Sequence, residues 1–296
     1  KADWQMSRPQ KLQMRSKRLN RSLGGNIAIT IILLIFGLYS LLPMVMAVNQ
    51  SLKPLSELFI YPPKVFVRKP TFDNFRSLYE LISTSMVPFS RYLFNTVFVS
   101  VVGTVVHILM ASMCAFPLAK YTKMPGNKFI SAVIVYSLMI NPTVADIANY
   151  QTMARFNLTD TYWSILLPAF ASSFGLYLMK QFIVQIPDSL IEAAKIDGCG
   201  DIRINFSIIM PNVRPAWLTL ALFSFQNLWN GTNSTYIYSE QMKSLPYALS
   251  QLTSGGISRA GASAAVVVIM MIIPVVFFLL TQSKILKTMA TSGLKD

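Results

Sequence analysis

Six stretches of this chain are long and apolar enough to cross a bilayer: residues 26–48, 93–119, 127–149, 161–184, 209–229 and 260–282. A spanning helix needs about 20 mostly apolar residues. Apart from Lys128, Lys180 and Arg214 near segment ends, the formal charge inside them is Asp146 alone. Lipid offers no partner to a backbone amide, so each segment must satisfy its own hydrogen bonds, and a helix does this most simply. An outer-membrane barrel would show segments of about ten residues alternating in polarity, and these runs do not alternate. The expected fold is an all-α polytopic membrane protein with six transmembrane helices. Composition agrees, since 13% of the residues are charged, against about 25% in soluble domains.

The net charge of +14 could point to nucleic acid, but its placement follows topology instead. With the N-terminus inside, seven Lys and Arg fall in residues 1–25, three at 120–128, four between Lys180 and Arg214, and three in the tail, which is 17 of the 26. The outer face holds nine, six of them in the long loop 49–92. Basic residues in short loops mark the cytoplasmic side, so the basic segment 1–25 and the tail 283–296 are both expected in the cytoplasm. Residue 1 is Lys, so the chain is expected to start beyond its initiator. The basic start followed by an apolar run resembles a signal peptide. That run is too long for one and lacks a small-residue cleavage site, so it reads as a retained first span. Cys114 and Cys199 form no disulfide framework or metal spacing, and the single histidine, His107, leaves no basis for a metal cluster or catalytic triad. No catalytic and no metal-ligating residues are expected.

Three stretches reach outside the bilayer. The outer loop 49–92 carries Pro54, Pro62, Pro63 and Pro70 and reads as an ordered cap. The outer loop 230–259 contains Gly255 and Gly256. The cytoplasmic segment 185–208, between the fourth and fifth spans, is the most informative. There, Ser189 and Glu192 have capping-box spacing just after Pro187. Gly198 can supply the left-handed residue that stops a helix, and Asp201 is placed to cap a second short helix running toward Pro211. The expected product is a helix–glycine–helix elbow. The small side chains of Ala193 and Ala194 would let another surface approach closely. Physical chemistry alone leaves two fates open, docking on a partner or lying on lipid.

The run Glu192-Ala193-Ala194, then Gly198, Ile208 and Met210-Pro211 at fixed spacing closely resembles the EAA loop of ABC importer permeases. Met210 replaces the family's Leu, a volume-conserving change. Ser51-Leu52-Lys53-Pro54, Thr161-Tyr162-Trp163, Leu166-Leu167-Pro168 and Leu228-Trp229-Asn230 are similar to the carbohydrate-uptake branch, nearest the second permease subunit of maltose-type systems. The resemblance implies the type I importer permease fold in the bacterial inner membrane. It further implies that Glu192, Ala193, Ala194, Asp197, Gly198 and Pro211 couple to an ATPase. The implied partners are a second homologous permease, two ATP-binding subunits, an external solute-binding protein and a carbohydrate. ATP and Mg would sit on the ATP-binding subunits, and no cofactor is expected in this chain. The absence of a Gly-x-x-x-x-Gly-Lys-Ser/Thr loop fits that division.

Polar residues in the spans are candidates for the substrate path, because such groups tend to face a bundle interior. Asn141, Asp146 and Asn149 lie near the outer end of the third span, where Asp146 reads either as a hydroxyl or gate contact or as a residue satisfied by interfacial water. Gln226, Asn227, Trp229 and Asn230 cluster at the outer end of the fifth. Amides bond sugar hydroxyls and an indole covers the apolar face of a sugar ring, while Trp is also an interfacial anchor. His107 and Asn95 read as helix–helix hydrogen bonds, and the many Met residues as adaptable packing. Tyr236, Tyr238 and Tyr247 place the loop 230–259 within reach of a docked binding protein. An ion-coupled secondary transporter would show several buried acids or inverted repeats, and a membrane enzyme would need a nucleophile, base or metal set. The sequence supplies neither.

Overall fold

The computed structural model describes residues 23–292 except 63, 65, 84–86 and 255. Most of the basic N-terminal segment, Pro63, Gly255 and the last four residues of the tail therefore lie outside the described residues. Helices account for all the regular structure among them, in chain order α1 (Leu23–Leu52), α2 (Leu55–Leu58), α3 (Asp73–Ser83), α4 (Phe89–Lys120), α5 (Asn127–Ser137), α6 (Pro142–Arg155) and α7 (Trp163–Phe170). After these come α8 (Ser173–Val184), α9 (Asp188–Ile196), α10 (Asp201–Ile204), α11 (Met210–Asn212), α12 (Arg214–Asn230), α13 (Leu245–Thr253) and α14 (Ala260–Ser292). Residues up to Met46 form one unit, and the chain from Ala47 onward forms a second. The described part of the first unit is residues 23–46 of α1, a stretch without a charged residue.

Four helical stretches are long and apolar enough to span a membrane: Gly24–Leu52, Phe89–Lys120, Trp163–Val184 and Ala260–Gln282. The bent pair Asp201–Asn212 and Arg214–Asn230 supplies a fifth if counted as one span. The third expected span, 127–149, is broken into α5 and α6. Pro142 brings no N–H, and Asn141 before it is extended, with its side chain accepting from the Thr143 N–H at 3.0 Å. A pre-proline residue disfavours helix, and Asn141-Pro142 is a stop and restart within one apolar run. The fifth span also starts later than expected. Residues 209–212 belong to the turn before it, and the axis bends by 85° before α12 begins at Arg214.

The spine of the second unit is α4. Its buried face includes Gly103, His107, Ala111, Ala115 and Ala119, one residue every four, and it packs on α8 and α12. Lipid tails give helices no hydrophobic drive to associate, so small residues that permit close van der Waals contact do the work. His107 Nδ1 meets Ser224 Oγ of α12 at 3.2 Å. A Cβ on Gly175 of α8 would fall 2.1 Å from His107 Nε2, so that position tolerates only glycine while the imidazole stays in place.

The N-terminal end of α4 has its own core, in which Leu78 of the amphipathic α3 packs with Tyr92, Leu245, Leu249, Ala262 and Ala265. Asn74 of α3 donates to the carbonyls of Ser51 and Lys53 at 2.8 and 2.7 Å, which fixes the Ser51–Pro54 stretch. Asn95, buried on α4, is the hub where α4 meets the segment after α12. It donates to the carbonyls of Gln241 and Lys243 and accepts from the Tyr162 hydroxyl at 2.7 Å.

Candidate functional site

The elbow is built from α9, α10, a π-helical turn at Asn205–Ile209, and α11. Its start differs from the expected capping box. Pro187 is the N-cap, Asp188 opens the helix, and Ser189 makes no capping bond. Pro187 already has a fixed φ suited to a helix start, and the chain is pinned here from outside. Lys120, at the end of α4, donates to the carbonyls of Val184 and Ile186 and to Asp188 Oδ1 at 2.8 Å. The ammonium thus satisfies orphan carbonyls at the end of α8 and ties α9 to α4.

The helix stops at Gly198, whose φ is +78°. Cys199 N–H reaches Ala194 O at 2.9 Å and Gly198 N–H reaches Lys195 O at 3.0 Å, the paired bonds of a Schellman motif. The second arm then starts with Gly200, not Asp201, at its N-cap. The Asp201 carboxylate is spent elsewhere. It accepts from the Tyr121 hydroxyl at 2.6 Å and lies 3.8 Å from the Lys195 ammonium, which itself sits 4.5 Å from the Tyr121 ring centroid. Burial and the bond to Asp201 push the Tyr121 phenol above its ordinary pKa, and the bond to Tyr121 raises that of Lys195. Pro211 has no N–H to give back to the preceding turn, and the chain runs through the π-helical turn just before it. At the bend beyond it, the Trp217 indole donates to Met210 O at 3.1 Å and satisfies a carbonyl the kink would strand.

The two faces of the elbow differ. Ile191, Ala194, Ile204 and Ile209 are buried in one core with Ala115 and Phe116 of α4, Ile183 of α8 and Ala216 and Leu220 of α12. Ala194 is 6% exposed. The expectation that both alanines face a partner is therefore corrected: Ala193 is outward and Ala194 packs into the chain's own core. Glu192, Asp197, Gly198 and Pro211 are exposed. So are Ile196, at 86%, and Ile202, at 68%, two residues that sequence reasoning passed over. Their signal lay in helical register: at about 100° per residue Ile196 falls roughly 140° from Ile191, off the buried face of α9.

The outer candidates separate. Trp229 is 1% exposed, donates to Met270 O of α14 at 3.2 Å and stacks on Phe225. Its face is unavailable to a sugar and it anchors no interface, so both expected roles are corrected to helix packing. Gln226, Asn227 and Asn230 remain exposed on α12, and Gln226 borders a cleft of about 220 Å³ whose other walls are apolar. Asn141 is occupied as a cap. Asp146 is exposed. Asn149 is half-buried, and close to it lies the Tyr236 phenol, whose pKa is raised by burial and by the Asp146 charge. Tyr236 belongs to the segment after α12, so α6 and that segment meet here.

Asp160 escaped sequence reasoning altogether. At φ +60°, its Oδ1 accepts from Tyr238 N, Ser239 N and Ser239 Oγ at 2.9 to 3.0 Å. Burial would raise its pKa, but the two backbone N–H groups and the hydroxyl outweigh that and lower it. Nearby, Glu240 is also lowered, chiefly by Lys243, and accepts from Tyr92 at 2.7 Å.

Comparisons with known proteins agree with this architecture. A family model described as "Binding-protein-dependent transport system inner membrane component" matches residues 94–287. The polygalacturonan/rhamnogalacturonan transport system permease protein YtcP of Bacillus subtilis is 30% identical over 70% of this chain and 69% of its own. The arabinooligosaccharides transport system permease protein AraQ of the same organism is 28% identical over 77% and 81%. Among solved structures, a chain of a bacterial ABC transporter that imports the acidic polysaccharide alginate superposes with a TM-score of 0.71 at 20% identity, covering 88% of this chain and 95% of that one. With the elbow, the kinked entry to α12 and the matched 94–287 region on one chain, this protein belongs to the binding-protein-dependent inner membrane components, the permease subunits of ABC importers.

Proposed function

We propose that this chain forms one half of a carbohydrate pathway through the bacterial inner membrane and that its elbow receives force from a separate ATP-binding subunit. The observation that carries this reading is the two-faced elbow. One face is continuous with the core of α4, α8 and α12, so displacement of the elbow must move the spans. The other presents Glu192, Ala193, Ile196, Asp197 and Ile202. Covering an exposed isoleucine is worth about 1.5–3 kcal/mol, which makes Ile196 and Ile202 the natural anchors in a partner's cleft.

In this reading the chain crosses the membrane six times, with α5–α6 as a broken third crossing and both termini cytoplasmic. The partners are a second, homologous permease, two ATP-binding subunits that hold ATP and Mg, and an external solute-binding protein. ATP binding closes the nucleotide subunits, swings the elbow and opens the spans outward. Hydrolysis resets them. This chain itself contributes no ATPase site and no covalent chemistry. The substrate class follows the relatives named for polygalacturonan and arabinooligosaccharides and a neighbour solved with an alginate pentasaccharide-bound periplasmic protein, so an oligosaccharide is the favoured cargo. The exposed amides Gln226, Asn227 and Asn230 and the Asp146–Asn149 pair are the candidate contacts. Co-purification tests the reading: an ATP-binding subunit should accompany the wild-type chain, and Glu192→Arg should release it. Sugar uptake by this chain alone in liposomes without ATP would overturn it.

A further inference from the structure

Two lysines near the C-terminal end of α4 are treated differently. Lys120 spends its donors on the carbonyls of Val184 and Ile186 and on Asp188. Lys180 lies on α8, four residues before that helix ends at Val184, within a stretch long and apolar enough to span the membrane. It is half-buried, and it donates to Ser131 Oγ of α5 at 2.6 Å. An ammonium has three N–H donors, and among the described residues the other two of Lys180 meet no acceptor. Ser131 Oγ donates onward to Asn127 Oδ1 at 3.2 Å, and the buried Asn127 donates through Nδ2 to the carbonyls of Leu118 and Tyr121 at 3.2 and 3.1 Å. This directed chain runs from the end of α4 through α5 and holds the Lys180 ammonium between α5 and α8, where a lysine near a helix end would ordinarily stretch freely toward water. Lys128 is exposed on α5, three residues before Ser131, and residues at that spacing are neighbours on one helix face. Neither Lys128 nor Lys180 forms an ion pair among the described residues. Farther along the same stripe, Val135 and Leu138 are exposed and apolar. Unpaired cations at the end of a helix pair, with open apolar surface deeper in the membrane, match a lipid with an anionic headgroup.

We infer that Lys180 and Lys128 bind the phosphate of an anionic phospholipid whose acyl chain lies along Val135 and Leu138. The headgroup supplies the counter-charge that the chain withholds from both lysines, and it ties α5 to α8. A zwitterionic phospholipid brings its own cation beside its phosphate and gains less from the pair. A soluble phosphate gains nothing from the apolar stripe. The site stands on this chain's place in the membrane and is independent of the coupling role and the cargo proposed above.

The test uses the assembled transporter, otherwise free of cysteine, with Leu138→Cys carrying a bimane fluorophore. It is placed in phosphatidylcholine nanodiscs holding a rising fraction of phosphatidylglycerol brominated on its acyl chains, and the bromines quench a bimane they touch. Quenching should saturate at a low fraction of the brominated phosphatidylglycerol, and brominated phosphatidylcholine should quench only in proportion to its amount. Lys180→Gln and Lys128→Gln should each raise the half-saturating fraction about fivefold, the effect of one lysine at an anionic headgroup. Ser131→Ala keeps both charges but frees the Lys180 ammonium, and should raise it about two- to threefold. Lys123→Gln removes an exposed lysine from the neighbouring turn and should leave the curve unchanged. Lys128 is exposed, so Lys128→Gln keeps the test decisive if Lys180→Gln fails to assemble. Equal quenching by the two brominated lipids would overturn the inference. So would a Lys123→Gln effect as large as that of Lys128→Gln, which would mean a diffuse positive surface and no site. Relief of quenching by added inorganic phosphate would assign the lysines to a soluble anion and overturn the lipid.

Discussion

Two neighbouring alanines should respond oppositely to one substitution. Ala194 is 6% exposed and sits among Ile183, Ile191, Ile204 and Ile209. Ala194→Leu adds three carbon atoms to a core whose walls come from α4, α8 and α12, and overpacking of that kind costs about 1–3 kcal/mol. Ala193 is exposed, and a substitution on an open surface stays within about 0.5 kcal/mol. Ala193→Leu should therefore leave the permease as stable as wild type. Its larger side chain would still stand on the face proposed to meet the ATP-binding subunit, and complex recovery should fall. The assay has two parts. Thermal inactivation of the purified chain, followed by loss of the monodisperse peak, should shift down by several degrees for Ala194→Leu only. Recovery of the ATP-binding subunit, normalised to folded permease, should drop for Ala193→Leu. A stable Ala194→Leu protein together with an unstable Ala193→Leu protein would show that the faces are assigned the wrong way round.

Other outcomes follow from the same geometry. Gly175→Ala places a Cβ 2.1 Å from His107 Nε2 and should destabilise the chain by about 1–3 kcal/mol, with His107→Ala restoring much of the loss in the double variant, as thermal inactivation of the four proteins in the cycle would show. Trp229→Phe removes the bond to Met270 O and part of a buried ring. It should lower stability by about 1–2 kcal/mol without changing the substrate concentration for half-maximal uptake, because the indole is buried against α14. The contacts of Asp160 and Glu240 should be acid-labile only at the low end. The pKa values of Asp160 and Glu240 are depressed on folding, so their contribution is complete above their ordinary carboxylate values and is lost as pH falls through the lower folded ones. Protection from hydrogen exchange in residues 231–244, with each rate normalised to the intrinsic amide rate at that pH, should be unchanged from neutrality down to about pH 4.5, near the ordinary carboxylate value, and should fall below it. A loss of protection already near pH 6 would contradict the assignment.

The sequence made the helical class, the elbow and its glycine stop legible, for local reasons. Apolar length, proline and a left-handed position act within a few residues of themselves. The Asn141-Pro142 break was equally local, yet the surrounding apolar run concealed it. What stayed hidden depends on distant partners. Spacing shows that Ala193 and Ala194 share a helix, but only the packing of α4, α8 and α12 decides which one turns inward. Asp160 is an unremarkable loop acid until Tyr238 and Ser239 fold back on it. Trp229 reads as a sugar platform until α14 offers the Met270 carbonyl. The capping residues Ser189 and Asp201 lost their expected roles because Pro187 and Gly200 took the cap positions, and the Asp201 carboxylate found Tyr121 instead.

The central claim is that the outward face of the elbow touches an ATP-binding subunit in the cytoplasm. In a background with Cys114 and Cys199 replaced by serine, Ile196→Cys would be treated with a short thiol cross-linker in membranes holding the whole transporter. A cross-linked product containing the ATP-binding subunit, with the thiol shielded from an impermeant reagent added outside intact cells, is the predicted result. Labelling of that thiol from outside, or no cross-link to any nucleotide-binding chain, would contradict the account.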